Sequence, residues 1–483
     1  MESPNALQAA LTLAQSHLEN LETASVAATT DVQTLRARLG KPLGDQGLPS
    51  EQVLCELAAG VQGGLIGSAS GRFFGWVIGG SLPAAIAAEW LVSAWDQNAA
   101  LFACSPAAAV VEEITGQWLK EILGLPSTGS FAFVSGCQMA HITCLAAARH
   151  ALLARLGWDV EEEGFCWAPR IRVLASDARH GALNRAVRLL GFGSAHIVNL
   201  PTDSSGRVQR DALERELRRN PPSPAIVLLQ AGEINSGCFD LFTELIPLAH
   251  AHHAWVHVDA AFGLWAAASS QYKYLVEGIE HADSWATDGH KLLNVPFDSG
   301  FAFVAHPDAH RAAMSHRAPY VTASAEARDQ IDWNPEWSRR ARGFSPYAAL
   351  RQLGREGLTD LINRCCAHAH AMVTRIGNLP GAEIVSESMF NQGLVRFLHP
   401  DPGATESDHA RHTDEMIAAI NATGEAFFTG SNWKGRRVMR VSVCNWRTSA
   451  SDVDRAVAAA SRILREKSAS FVLEAAATHG GGI

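Results

Sequence analysis

The chain has 483 residues, 47% hydrophobic and 18% charged, enough to bury a large core in two or three domains and too apolar for a disordered chain. Its net charge of −9 leaves no electrostatic footprint for nucleic acid, and short basic runs such as Arg339-Arg340-Ala341-Arg342 read as solvated faces or local anion contacts. Nine scattered cysteines without a CxxC pair, and a start (Met1-Glu2-Ser3-Pro4-Asn5) without a secretory pattern, fit a reduced, cytoplasmic protein better than a disulfide framework.

In chain order, Leu7, Leu11, Leu13, Leu18 and Leu21 fall near helical spacing, so the first forty-odd residues are expected to be helical. Gly40, Pro42, Gly44, Gly47 and Pro49 then form a breaker-rich loop. Phe73 to Trp95 is apolar, but Pro83, Glu89 and Gly79-Gly80 interrupt it, so it reads as buried helix and not as a membrane span. From Phe131 onward short apolar strands alternate with helices. Strands are expected at 131–134, 171–175, 197–200, 225–229, 255–258 and 299–304, with helices at 139–156, 182–190, 210–219 and 241–252. That alternation implies right-handed crossovers and a mostly parallel sheet with helices on both faces. Residues 306–345 read as mobile loop and connector. A smaller α/β unit follows, with a helix near 348–379, strands near 393–398 and 437–443, and a closing helix at 451–467. The expected domains are an N-terminal helical segment (1–80), a large domain (81–345), a small C-terminal domain (346–475) and a disordered tail (476–483).

Two residues carry the chemistry. Lys291 lies in Ala286-Thr287-Asp288-Gly289-His290-Lys291-Leu292-Leu293-Asn294, 32 residues after Asp259 in Val256-His257-Val258-Asp259-Ala260-Ala261. A lysine amine forms a Schiff base with the aldehyde of pyridoxal 5′-phosphate, and burial is expected to lower its pKa from about 10.4 toward a reactive value. An aspartate on the pyridine nitrogen keeps that nitrogen protonated, so the ring can accept electrons from a carbanion. Ser135-Gly136-Cys137-Gln138 joins an expected strand to an expected helix, where free N–H groups and the helix dipole favour an anion. Such turns occur throughout α/β proteins; beside the Lys and Asp motifs this one reads as a phosphate cradle. His180 follows another strand end, in Ser176-Asp177-Ala178-Arg179-His180-Gly181, and could stack on a flat ring. His250, His252, His253 and His257 invite a metal reading, yet no HExxH or cysteine spacing accompanies them, and no metal is expected. Gly191-Phe192-Gly193 lacks the third glycine of a dinucleotide fingerprint, and Gly67-Ser68-Ala69-Ser70-Gly71 has alanine where a hydrolase nucleophile belongs.

From Gly71-Arg72-Phe73-Phe74-Gly75 to Arg440-Val441-Ser442-Val443-Cys444-Asn445, the chain resembles the group II pyridoxal-phosphate-dependent amino-acid decarboxylases, the aromatic-amino-acid and glutamate decarboxylase family. His257-Val258-Asp259-Ala260-Ala261 and Ser284-Trp285 through His290-Lys291 carry most of the likeness. The resemblance implies a fold-type-I transferase fold with a seven-stranded sheet and a homodimer whose active site lies at the subunit boundary, the N-terminal segment serving as dimer contact. It also implies a cofactor on Lys291. His180 matches the ring-stacking histidine, Asp259 the pyridine-nitrogen partner, Ala261 the small residue on the other ring face and His290 the histidine beside the lysine. Tyr320, 29 residues after Lys291, matches the loop tyrosine that protonates the carbanion; phenylalanine there goes with oxidative deamination. Arg440 matches an arginine placed near the substrate or cofactor, where a guanidinium suits a carboxylate. Phe73 and Phe74 are candidates for an aromatic wall at the substrate.

Departures matter too. Gln138-Met139-Ala140-His141 replaces the usual Ser or Thr followed by Glu-Ala-Asn, and Glu233-Ile234-Asn235-Ser236 stands where many members carry a threonine-rich turn. The expected activity is decarboxylation of an L-amino acid to its amine, with aromatic substrates first and acidic ones second. The competing readings are an oxidative decarboxylase forming an aldehyde, a carbon–carbon or carbon–sulfur lyase or aminotransferase on the same fold, and a non-catalytic scaffold.

Overall fold

The computed structural model describes residues 3–219, 223–316 and 327–479. Contacts divide the described residues into two compact units, a larger one from 77–370 and 386–393 and a smaller one from 1–76, 371–385 and 394–483.

The chain begins in the smaller unit with helices α1 (Ser3–Asn20), α2 (Val32–Leu39) and α3 (Ser50–Val61). Asp31 caps α2 by accepting the Thr34 N–H at 2.7 Å. After the breaker-rich loop, residues 73–75 pack as core. Phe73 stacks on Phe427 with centroids 5.0 Å apart, and Phe74 on Phe428 at 5.4 Å. Both are buried among these rings, which accounts for the aromatic run without a substrate.

The larger unit opens with α4 (Pro83–Trp95) and α5 (Pro106–Ile122). Its seven described strands are β1 (Ser130–Val134), β2 (Arg172–Ser176), β3 (Ile197–Leu200), β4 (Ala225–Gln230), β5 (Trp255–Asp259), β6 (Ser284–Asp288) and β7 (Gly300–Val304). They form one sheet in the order β1-β7-β6-β5-β4-β2-β3. Strands β2 to β6 pair in parallel, whereas β7 runs antiparallel to both its neighbours. β1, β4, β5, β6 and β7 are buried along their whole length, as a sheet covered on both faces requires. The crossovers are α6 (Cys137–Ala154) with the short α7 (Val160–Glu163), then α8 (Gly181–Leu189), α9 (Arg210–Arg219) and α10 (Phe242–Ala251). The mostly parallel α/β sheet expected from the pattern is therefore present, with β6 added. Between 306 and 345, where loop was expected, the described residues include α11 (Pro307–Met314).

α11 is tied to β1 by His310, whose Nδ1 lies 2.8 Å from Ser130 Oγ and whose Nε2 lies 2.9 Å from the Trp333 carbonyl. Burial pushes this ring down from 6.5 to about 3, so it stays neutral where an unfolded histidine would charge. The unfolded chain then binds the extra proton between about pH 6.5 and 3, and stability contributed by His310 is lost as pH falls through that window. Denaturant titrations at pH 7 and 4.5 should show a loss that is smaller in His310→Asn, the difference being up to about 1.4 kcal/mol per pH unit.

Helix α12 (Phe344–Gly377) is interrupted at Gly354, whose φ of +61° only glycine adopts at little cost. In the smaller unit follow β8 (Ala382–Ser386), β9 (Gln392–Phe397), α13 (Glu406–Ala422), β10 (Thr429–Trp433), β11 (Arg436–Ser442) and α14 (Ala450–His479). The four strands are ordered β10-β11-β9-β8. A Thr405–Asp408 capping box starts α13. Lys434 and Gly435, both at positive φ, make the two-residue turn between β10 and β11. Arg440 is buried on β11 opposite Thr429. The closing helix is longer than expected: α14 continues through 476–479, the first part of the segment read as a disordered tail, because Ala475-Ala476-Ala477 favours helix.

Candidate active site

The carboxyl ends of β1, β2, β4, β5 and β6 and the start of the reversed β7 share one edge of the sheet, where open α/β folds bind ligands. Register aligns them: Val134 and Asp288 both face Gly300, and Asp259 lies between Gln230 and Ala286. A cavity of about 250 Å³ occurs at this edge. Gly136, Cys137 and Gln138 reach it from β1, and His180 from β2. Gln230 and Ile234 come from β4, Asp259, Ala261 and Phe262 from β5, and Asp288, His290 and Lys291 from β6. Eight residues singled out in the sequence thus line one cavity. Phe73, Phe74 and Arg440 belong to the smaller unit, and Tyr320 lies outside the described residues.

The turn after β1 is compact because backbone meets backbone. A Cβ on Gly300 would sit 2.4 Å from Gly136 Cα, so glycine at the start of β7 lets the head of α6 close onto the sheet. There the Cys137 N–H donates to Asp288 Oδ1 at 2.7 Å. An internal carboxylate therefore occupies part of the helix terminus read as a phosphate cradle. Asp288 Oδ2 lies 2.9 Å from Lys291 Nζ and 3.6 Å from His290 Nε2. Burial would raise the Asp288 pKa, but Lys291, His290 and the Cys137 N–H outweigh it and hold the carboxyl below its ordinary range.

Lys291 corrects an expectation. Burial does push its pKa down, but the Asp288 carboxylate, with Asp259 adding to it, more than reverses this and holds the ammonium well above the usual lysine range. Asp288 lies three residues before the lysine in the same motif, where the sequence gives no sign of its partner Cys137. His290 accepts the Ser299 N–H at Nδ1 (3.2 Å) and stacks on Phe297 at 4.3 Å, while burial lowers its pKa.

Asp259 Oδ1 accepts the Ala261 N–H at 3.3 Å, and Oδ2 lies 3.6 Å from His141 Nε2. His180 caps α8: its Nδ1 accepts the Ala182 N–H at 3.2 Å, which leaves the proton of a neutral ring on Nε2. Glu233, in the turn that replaces threonines, is occupied within its own loop by Asn235 and Ser236. Cys137, His141 and Asp259 also bring a sulfur, a ring nitrogen and a carboxylate oxygen within 4.8 Å of one another, a grouping that sequence spacing did not reveal. Burial, then the Asp288 charge, pushes the Cys137 thiol well up, so it stays protonated.

Gln138 Nε2, His141 Nε2 and Gln230 Nε2 are buried at this cavity without hydrogen-bond partners. Buried donors of this kind call for a polar group between them. With an amine at Lys291 and a carboxylate at Asp259, they fit a flat, anion-bearing ring such as pyridoxal 5′-phosphate.

Comparison with known proteins agrees. A family model described as the pyridoxal-dependent decarboxylase conserved domain matches residues 33–399. The chain is 25% identical over 444 residues to the aromatic-L-amino-acid decarboxylase of Bacillus atrophaeus, covering 90% of each. It is 28% identical over 389 residues to the L-2,4-diaminobutyrate decarboxylase of Rhizobium meliloti, covering 79% of this chain and 75% of that protein. The crystal structure of Oryza sativa TDC with PLP and tryptamine superposes with a TM-score of 0.90 at 24% identity, covering 96% of this chain and 98% of that one.

Proposed function

The chain belongs to the pyridoxal-dependent decarboxylase family, and from that premise we propose that it converts an aromatic L-amino acid to its amine and carbon dioxide. At the family level it is a pyridoxal-phosphate-dependent carboxy-lyase of amino-acid metabolism. When bound, the cofactor supplies an electron sink for the pair left on the α-carbon as carbon dioxide departs.

The residues divide the work by chemistry. Lys291 provides the amine that attaches the cofactor, and Asp259 an ionised partner that keeps the ring nitrogen protonated. His180 and Ala261 bound the ring. Gln138, with Gly136 beside it, would hold the phosphate at the part of the α6 head that Asp288 leaves open, and His290 steadies Asp288, which takes the Cys137 N–H, beside Lys291. Tyr320 or His180 returns a proton to the α-carbon. A homodimer follows from the family resemblance, and the scattered cysteines without a CxxC pair fit a cytoplasmic location; among the described residues no helix is long and apolar enough to cross a membrane.

One observation carries the substrate class. Phe262, Ile234 and Ala261 give the cavity apolar surface, and its one described Lys or Arg, Lys291, is already engaged by Asp288. A neutral side chain suits such walls, whereas an acidic one needs a further cation. Carbon dioxide release measured across the common amino acids should be greatest with aromatic ones. Faster turnover of glutamate or aspartate would overturn the substrate class, and hydrogen peroxide with ammonia in place of amine would move the reaction to oxidative decarboxylation.

A further inference from the structure

Asp288 is gripped at both oxygens. Oδ1 takes the Cys137 N–H at 2.7 Å and Oδ2 faces Lys291 Nζ at 2.9 Å, with the residue only 3% exposed. The other groups that face this amine are His290, 3.6 Å from the same carboxylate oxygen, and Phe262, whose ring centroid is 6.0 Å from Nζ. Asp259, the protonated Cys137 and the rings of His141 and His180 complete the surroundings, so no second fixed cation lies among the described lining residues to compete for Asp288. A lysine buried alone sheds its proton easily; one held against a buried carboxylate keeps it.

Resting on the reading of Lys291 as the attachment point, we propose that Asp288 is a positioning residue that parks the unattached Lys291 amine as its ammonium ion. For attachment, the ammonium must first release one proton to solvent. The freed lone pair then forms the C–N bond to the aldehyde carbon, and the two remaining amine protons leave with the carbonyl oxygen as water. Asp288 therefore slows capture of the aldehyde at neutral pH. It also draws off the amine once an amino acid has displaced it, so the lysine does not compete for return while substrate is bound.

The test is stopped-flow capture by the apoprotein of pyridoxal 5′-phosphate and, separately, of pyridoxal, which lacks the phosphate. The readout is the visible absorption of the lysine-bound aldehyde between about pH 7 and 10. The wild-type rate should climb across the whole range. Asp288→Asn should capture both aldehydes about tenfold faster or more at pH 7, with the rise displaced to lower pH. Acceleration confined to the phosphorylated aldehyde overturns the proposal, because it would mark repulsion of phosphate and not a parked amine; unchanged or slower capture of both overturns it equally. If Asp288→Asn does not fold, the wild-type profile decides alone, and a rate that levels off below about pH 9 counts against parking. Lys291→Ala tests the underlying reading separately: absorption that persists there removes Lys291 as the attachment point whatever Asp288 does.

Discussion

Lys291→Ala is expected to lower carbon dioxide release by roughly 10⁴-fold or more and to abolish the visible absorption of lysine-bound cofactor. No other lysine lines the described cavity, so no neighbouring amine can take over. The substitution has a second cost, because Asp288 is left as a buried carboxylate without its 2.9 Å cation. Breaking a buried pair on one side destabilises by about 3–5 kcal/mol, and the partial exposure of Lys291 places this case toward or below the lower end. Lys291→Arg separates the two effects. A guanidinium can keep Asp288 company but cannot form the bond, so this variant should unfold near the wild-type temperature and remain inactive. Full turnover by Lys291→Ala would remove the lysine from the reaction altogether.

The fold was legible where burial leaves a continuous apolar run, as in Phe131-Ala132-Phe133-Val134 and Trp255-Val256-His257-Val258. Ser284, Thr287 and Asp288 are polar and hide β6 from an apolar strand pattern. The sheet resolves that conflict across strands: Ser284 Oγ meets Trp255 Nε1 and His257 Nδ1, each at 2.9 Å, so its burial leaves no unmet hydrogen bond. The candidate site shows the same division. Lys291 and Asp259 stand out because each carries its chemistry within a short local motif, His290-Lys291 and His257-Val258-Asp259. Asp288 depends on an N–H contributed by Cys137, 151 residues away, and no local pattern encodes that meeting. Phe73 and Phe74 read equally well as substrate wall or as core until Phe427 and Phe428 arrive from the far end of the chain.

Asp259→Asn should produce the second large effect, a fall in kcat of roughly 10²–10³-fold with KM changed far less. The reason lies behind the carboxylate as much as in it. Trp255 Nε1 can only donate, so Ser284 Oγ accepts from it and is free to give its own proton to His257 Nδ1. His257 then carries its proton on Nε2 and donates to His141 Nδ1 at 2.9 Å, which leaves the His141 N–H on Nε2, 3.6 Å from Asp259 Oδ2. Burial holds both rings below the ordinary histidine range, so the row is neutral and directional. Asp259 thereby faces an N–H dipole and not a rival cation, and its negative charge stays available to the ring nitrogen. Asparagine keeps the shape and loses the charge; the ring nitrogen is then held protonated less well, and the transition state for losing carbon dioxide suffers more than binding does. Nitrogen-15 NMR of labelled cofactor should show the ring nitrogen less protonated in Asp259→Asn. His257→Leu, which breaks the row two residues back, should shift the same signal part of the way. A kcat within a few-fold of wild type in Asp259→Asn, with the nitrogen signal unmoved, would place the partner of that nitrogen elsewhere.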